Sequence, residues 1–82
     1  MTTGPMTVDD FSKLVAEHFD LDPALVYPEA LVVADLGLDS IGVYELLILV
    51  EDQGVDLTDE QLDQLRTVRD WYDAYRLGID PQ

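Results

Sequence analysis

Apolar residues recur at helical spacing along nearly the whole chain, and no stretch alternates apolar with polar as a half-buried strand would. That pattern leaves an all-α fold as the expectation. A first helix should open after Thr7, a capping residue type, with Asp9 and Asp10 in its first turn to complement the helix dipole. Its apolar stripe is Val8, Phe11, Leu14, Val15 and Phe19. A long loop follows over residues 20–37, broken by Pro23 and Pro28. Val26, Leu31, Val32, Val33 and Leu36 are expected to pin that loop to the core. A second helix reads from Ser40 to about Asp52 and stops at Gly54. Thr58 and Gln61 have the spacing of a capping box for a third helix, short and carried by Leu62 and Leu65. Thr67 caps a fourth, with Val68, Trp71, Tyr72 and Tyr75 on one face and Gly78 near its end. The expected architecture is a small four-helix bundle with a long first loop and a short third helix.

The chain has 82 residues, enough for one domain (1–82) with a core over about 7–77 and loose termini. At this size folding buries only about 60% of the chain's surface, so the core is thin. There is no cysteine, which excludes disulfides, thiolate metal sites and thiol nucleophiles. Any thiol the protein uses has to be added to it. No apolar run approaches membrane-spanning length. The opening Met-Thr-Thr-Gly-Pro lacks a charged segment followed by an apolar one, so a cytoplasmic protein is expected.

Eighteen acids against four bases give a net charge of −14. Their distribution says more than the total. Between Lys13 and Arg66 there is no Lys or Arg, while thirteen of the acids lie there. Such a surface repels nucleic acid and anionic membranes and attracts basic protein surfaces.

The run Leu36-Gly37-Leu38-Asp39-Ser40-Ile41 sets a lone hydroxyl directly after an acid at the mouth of the second helix. Asp and Ser both favour helix starts, because their side-chain oxygens accept otherwise orphaned backbone N–H groups, so a capped helix without chemistry is the simplest reading. The position also suits an anion attached to Ser40, since free N–H groups and the dipole favour negative charge there. Ser40 has no visible activating base. His18 is the only histidine, and it falls near the end of the first helix, where a partly exposed structural role is expected. The second helix divides by its period. Val43, Leu46, Leu47 and Val50 make an apolar core stripe. Ile41, Tyr44, Glu45, Ile48, Glu51 and Asp52 make a second stripe in which acids alternate with apolar groups, the composition of a docking surface.

From about Val8 to Tyr75 the chain resembles the acyl carrier protein family, through the Leu-Gly-x-Asp-Ser-aliphatic signature at 36–41, the four-helix layout, the long first loop and a Thr-Val start to the last helix. The resemblance implies that Ser40 bears a 4'-phosphopantetheine arm, attached by an external phosphopantetheinyl transferase, whose thiol tethers cargo for partner enzymes. It makes Ser40 a tether and the protein a carrier rather than an enzyme. It also implies that Asp39, Ile41, Tyr44, Glu45, Ile48, Glu51 and Asp52 recognise basic partner surfaces, including acyl- or aminoacyl-loading ligases and transferases. A monomer without nucleic-acid or membrane partners is expected. Gly42 stands where fatty-acid carriers typically show a second acid, and Trp71, Tyr72 and Tyr75 make the last helix unusually aromatic. These departures direct the expectation to polyketide or other specialised-metabolite biosynthesis.

Other readings predict different features. Asp-Ser-aliphatic-Gly also resembles small aminoacyl carriers of the D-alanyl type, with peptidyl carriers of nonribosomal synthesis further off. An acidic nucleic-acid mimic would need acids at phosphate-like spacing and no helix-mouth serine. A calcium sensor fails on ligand spacing at both Asp35–Asp39 and Asp56–Glu60.

Overall fold

In the computed structural model, which describes residues 6–79, Thr7 is extended and its Oγ1 accepts the Asp10 N–H at 3.1 Å. This bond starts α1 (Val8–His18). The helices α2 (Ser40–Glu51), α3 (Asp59–Gln64) and α4 (Val68–Ile79) follow, and among the described residues there is no strand, only an isolated bridge between Leu31 and Thr67. The all-α expectation holds. The ends expected to be loose lie on either side of about 7–77, and of them residues 1–5 and 80–82 lie outside the described residues.

Each helix begins on the chemistry its sequence carries. Thr58 and Gln61 form the reciprocal capping box of α3, with bonds of 3.1 and 2.9 Å. A second reciprocal box, unforeseen from the sequence, starts α4. Thr67 Oγ1 accepts the Asp70 N–H at 3.1 Å, and Asp70 Oδ2 accepts the N–H groups of Thr67 and Arg66, each at 3.0 Å. Those N–H groups, Thr67's first and Arg66's second, hold the Asp70 carboxyl below the usual carboxylate range. Gly54, at φ 94°, turns the chain out of α2 in a conformation that disfavours any side chain.

The core is built around Trp71, Phe11, Leu46, Val15, Val50, Val55 and Val68, all essentially fully buried. Each such side chain contributes about 1.5–3 kcal/mol of burial free energy. Phe11 packs against Tyr72 and Tyr75 at ring-centroid distances of 5.7 and 5.9 Å, closing α1 onto α4. The two tyrosine hydroxyls also fasten the chain ahead of α1, Tyr72 donating to the Met6 carbonyl at 2.7 Å and Tyr75 accepting the Met6 N–H at 3.0 Å.

Three expectations about burial need correction. On α1 the buried positions include Ser12 and Ala16, while Val8, Leu14 and Phe19 are only half-buried. A 3-10 turn at Pro23–Leu25, started by Asp22 Oδ1 accepting the Ala24 N–H at 3.0 Å, packs against that flank of α1 and turns the buried stripe toward it. On α2 Leu49 joins the buried set, so the buried arc through Leu46, Leu47, Leu49 and Val50 spans about 160° of the helix at 3.6 residues per turn, while Val43, within that arc but in the first turn beside the helix mouth, is only half-buried. In the long loop Val26, Val32 and Leu36 are buried as expected, but Leu31 and Val33 are exposed. Ala30 and Leu38 take the inward places instead.

That last reversal follows from how the loop is tied down. Its second half runs antiparallel to the connection between α3 and α4. Val32 N–H donates to Arg66 C=O at 2.9 Å, Val68 N–H to Ala30 C=O at 2.9 Å, and Arg69 N–H to Pro28 C=O at 2.8 Å. Alternate side chains on such a ribbon point to opposite sides, so burying Ala30 and Val32 puts Leu31 outside, and Val33 is exposed in the turn that follows.

Candidate functional site

A tight turn over residues 31–38 delivers the chain to the mouth of α2. Asp35 Oδ2 accepts the Leu31 N–H, and the Asp35 N–H returns to the Leu31 carbonyl, both at 2.8 Å. Gly37, at φ 75°, lets the chain double back so that its N–H reaches the Val33 carbonyl at 3.1 Å. Leu38 N–H then donates to the Val32 carbonyl at 3.1 Å. With Leu36 and Leu38 buried, the chain leaves the core at a fixed point, one residue before Asp39.

Asp39 caps α2. Its backbone is extended, its Oδ1 accepts the Gly42 N–H at 2.8 Å, and its carbonyl accepts the Val43 N–H at 2.8 Å. Ser40 is therefore the first residue of the helix, exposed, and its hydroxyl is not engaged by any side chain among the described residues. The N–H groups of Ser40 and Ile41 likewise have no hydrogen-bond acceptor among the described residues. Two free donors at the positive end of a helix, beside an accessible hydroxyl, form a place where a phosphodiester on that hydroxyl is favoured. Gly42 contributes by what it lacks. A Cβ there would come within 3.1 Å of Leu38 Cβ, so the glycine lets the first turn of α2 settle on the buried Leu38.

The other residues singled out from the sequence share one exposed face. Ile41, Tyr44, Glu45, Ile48, Glu51 and Asp52 fall within an arc of about 120° of α2 and its C-terminal cap. Ile41, Tyr44 and Ile48 are 68%, 62% and 42% exposed, which rules them out as additional core. His18 does not meet Ser40. Its Nε2 lies 3.9 Å from Glu45 Oε1 and its ring packs edge-on against Phe19, joining the end of α1 to the acidic face of α2. Sequence reasoning missed this link, since nothing in the spacing of 18 and 45 reveals it. It also missed the anchoring turn, for which Asp35 ahead of Leu36-Gly37 was the available signal, an acid able to bond its own local backbone.

Residues 9–75 match the family model described as the phosphopantetheine attachment site. The acyl carrier protein of Helicobacter pylori (strain G27) is 41% identical over 63 residues, which cover 76% of this chain and 81% of that protein. The acyl carrier protein of Thermosynechococcus vestitus (strain NIES-2133 / IAM M-273 / BP-1) is 39% identical over 67 residues, 80% of this chain and 83% of that one. The acyl carrier protein of Zymomonas mobilis subsp. mobilis (strain ATCC 31821 / ZM4 / CP4) is 34% identical over 65 residues, 78% and 83% of the two chains. Fold, helix mouth and family match together define a phosphopantetheine-bearing carrier, not an enzyme. The chain belongs to the acyl carrier protein family. Its functional interactions are accordingly with a phosphopantetheinyl transferase and with biosynthetic enzymes. No helix among the described residues is long and apolar enough to cross a membrane.

Proposed function

We propose that Ser40 is the attachment residue and that the protein is a monomeric, cytoplasmic, single-domain carrier over residues 1–82, serving polyketide or other specialised-metabolite biosynthesis. The observation that carries the assignment to Ser40 is its place as an exposed hydroxyl at the first position of α2, with two N–H groups beside it that have no acceptor among the described residues. When bound, the phosphopantetheine arm supplies a terminal thiol that holds an acyl group as a thioester. This chain's part is to present the hydroxyl, stabilise the phosphodiester's charge at the helix mouth and offer a docking face. The transferase has to remove the Ser40 proton, because among the described residues no base touches that hydroxyl.

The docking face is the exposed stripe of Ile41, Tyr44, Glu45, Ile48, Glu51 and Asp52, with Asp39 at its leading end. Its charge suits basic partner surfaces, and its apolar groups supply the desolvated contacts that a purely charged face lacks. Gly42 and the aromatic α4 support the specialised context, as features that separate this chain from the fatty-acid carriers it resembles. The same Ile41-Gly42 pair favours aminoacyl cargo as the second reading. Intact mass spectrometry after coexpression with a broad-specificity transferase tests the assignment. The wild type should gain one phosphopantetheine group and Ser40→Ala none while remaining folded; modification mapped to Ser12 would overturn it.

A further inference from the structure

Leu31 and Val33, turned out of the core, line a groove of about 260 Å³ with Val32, Ala34, Leu65 and Arg66. Five of its six lining residues are apolar and the sixth is a cation. That combination is unusual on this molecule, whose net charge is −14 and whose sequence has no base between Lys13 and Arg66. The other cations are engaged or placed elsewhere. Arg69 pairs with Glu29 at 3.6 Å, Arg76 donates to the Tyr72 hydroxyl at 3.0 Å, and Lys13 borders a different groove against Pro23 and Tyr27. Arg66 forms no ion pair within 4.0 Å among the described residues, and its guanidinium lies near enough to Asp70 to help lower that carboxyl's pKa.

The groove lies beside the tether. Val32 and Val33 accept hydrogen bonds from Leu38 and Gly37, each at 3.1 Å. Ser40 is two residues past Leu38, at most about 7 Å of extended chain. The near wall of the groove is therefore within on the order of 10–15 Å of the Ser40 backbone, as the backbone dimensions fix it.

We propose that Arg66 and the Leu31–Val33–Leu65 groove seat a tethered acyl unit that ends in a carboxylate, with the apolar stem along Leu31, Val33 and Leu65 and the carboxylate on the guanidinium. This rests on the reading of Ser40 as the attachment residue. Two features select this occupant over an uncharged acyl chain. The apolar walls suit a methylene stem of any kind, but a terminal carboxylate is repelled by the acidic surface of α2 and finds at Arg66 a cation able to donate to both of its oxygens. Arg66 is thus a specificity-determining residue of the carrier, acting on the cargo and not on the partner enzyme.

The test loads the full chain, through a promiscuous transferase, from adipyl- or hexanoyl-coenzyme A, which transfers the acylated phosphopantetheine to Ser40 and releases 3',5'-ADP, the two acyl groups being equal in carbon count and differing in the terminal carboxylate. Thioester loss to neutral hydroxylamine is followed by intact mass and divided by the rate for the same thioester on free pantetheine. A seated cargo shields its thioester, so the adipyl form should react about two- to fivefold more slowly than the hexanoyl form, the range one exposed ion pair supplies. Arg66→Gln should abolish the difference and Arg66→Lys should keep part of it. In NMR spectra, adipyl loading should shift the Arg66 Nε–H signal together with the Leu31, Val33 and Leu65 methyl groups, while hexanoyl loading leaves Arg66 unmoved. Equal normalised rates for the two cargoes, or a difference that survives in Arg66→Gln, overturns the proposal, as does a groove that responds only when a partner enzyme is added. The two readings fail separately. Loading confirmed at Ser40 with no discrimination sinks the groove alone, whereas no mass gain at Ser40 sinks both.

Discussion

The Asp39 carboxylate accepts the Gly42 N–H at 2.8 Å, so the residue before Ser40, and not Ser40 itself, caps α2. The serine hydroxyl is released from structural duty by its neighbour. Asp39→Ala should therefore destabilise the fold by about 1 kcal/mol, while Asp39→Asn, which keeps an acceptor oxygen, should cost only a few tenths. Urea unfolding of the two variants measures this. Both remove the charge, so if Asp39 also steers the transferase, both should be modified more slowly at low salt despite their different stabilities. Equal destabilisation by Ala and Asn would mean the cap contributes through charge alone.

The exposed face of α2 predicts a division between charged and apolar substitutions. Glu45→Lys should slow modification by the transferase and flatten its salt dependence, because long-range attraction is screened over about 10 Å at 0.1 M salt. Ile48→Ala, at a site 42% exposed, should leave association at low salt nearly unchanged and instead speed dissociation. Stopped-flow binding at several salt concentrations separates the two. Identical kinetic signatures for both variants would count against a face that works by steering first and packing second.

Much of this was legible in the sequence because it is local. Helix caps at Thr7, Thr58 and Thr67 depend on residues three positions away, and all three form where their types and spacing place them. The division of α2 into faces is equally local, so the exposure of Ile41, Tyr44 and Ile48 followed from the 3.6-residue period. What escaped were pairings between distant segments. The exposure of Leu31 is dictated by the ribbon joining residues 28–32 to 66–69, a contact across more than thirty residues that no window of sequence contains. The second acceptor role of Asp70 was missed for a different reason. Aspartate in a first helical turn suits the dipole anyway, and so does not announce that it also closes a reciprocal cap.

Asp70 makes stability depend on pH in a stated direction. Its pKa is lowered in the fold by the Thr67 and Arg66 N–H groups relative to the ordinary value of 3.8. A group with a depressed folded pKa stabilises the fold above its unfolded pKa, and that contribution is lost as pH falls through the folded value. Wild type should exceed Asp70→Ala in stability by about 1 kcal/mol near neutrality, as a helix-start acceptor does. The gap should hold down to about pH 5 and then narrow as the pH drops below the ordinary carboxylate pKa of 3.8. Urea midpoints for the pair across pH 3 to 7 report the gap directly. A gap that widens in acid would reverse the sign and refute the assignment.

Near the end of its described span α4 approaches a core valine closely through a glycine. A Cβ on Gly78 would run into Val55 Cγ1 and lie 3.0 Å from Cγ2, and Val55 is only 1% exposed, with little freedom to yield. Alanine gains about 0.5–1 kcal/mol over glycine from helix propensity. Overpacking of a core contact costs about 1–3 kcal/mol, so Gly78→Ala should be destabilising on balance. Val55→Ala makes a cavity and should be destabilising alone, yet it removes the atoms the new Cβ would strike. The double variant Gly78→Ala, Val55→Ala should consequently be more stable than the sum of the single effects, by on the order of 1 kcal/mol for two side chains in contact. Strict additivity in thermal or urea unfolding would show that α4 shifts away from Val55 without cost, and that the close approach at Gly78 does not fix how the helix sits on Val55.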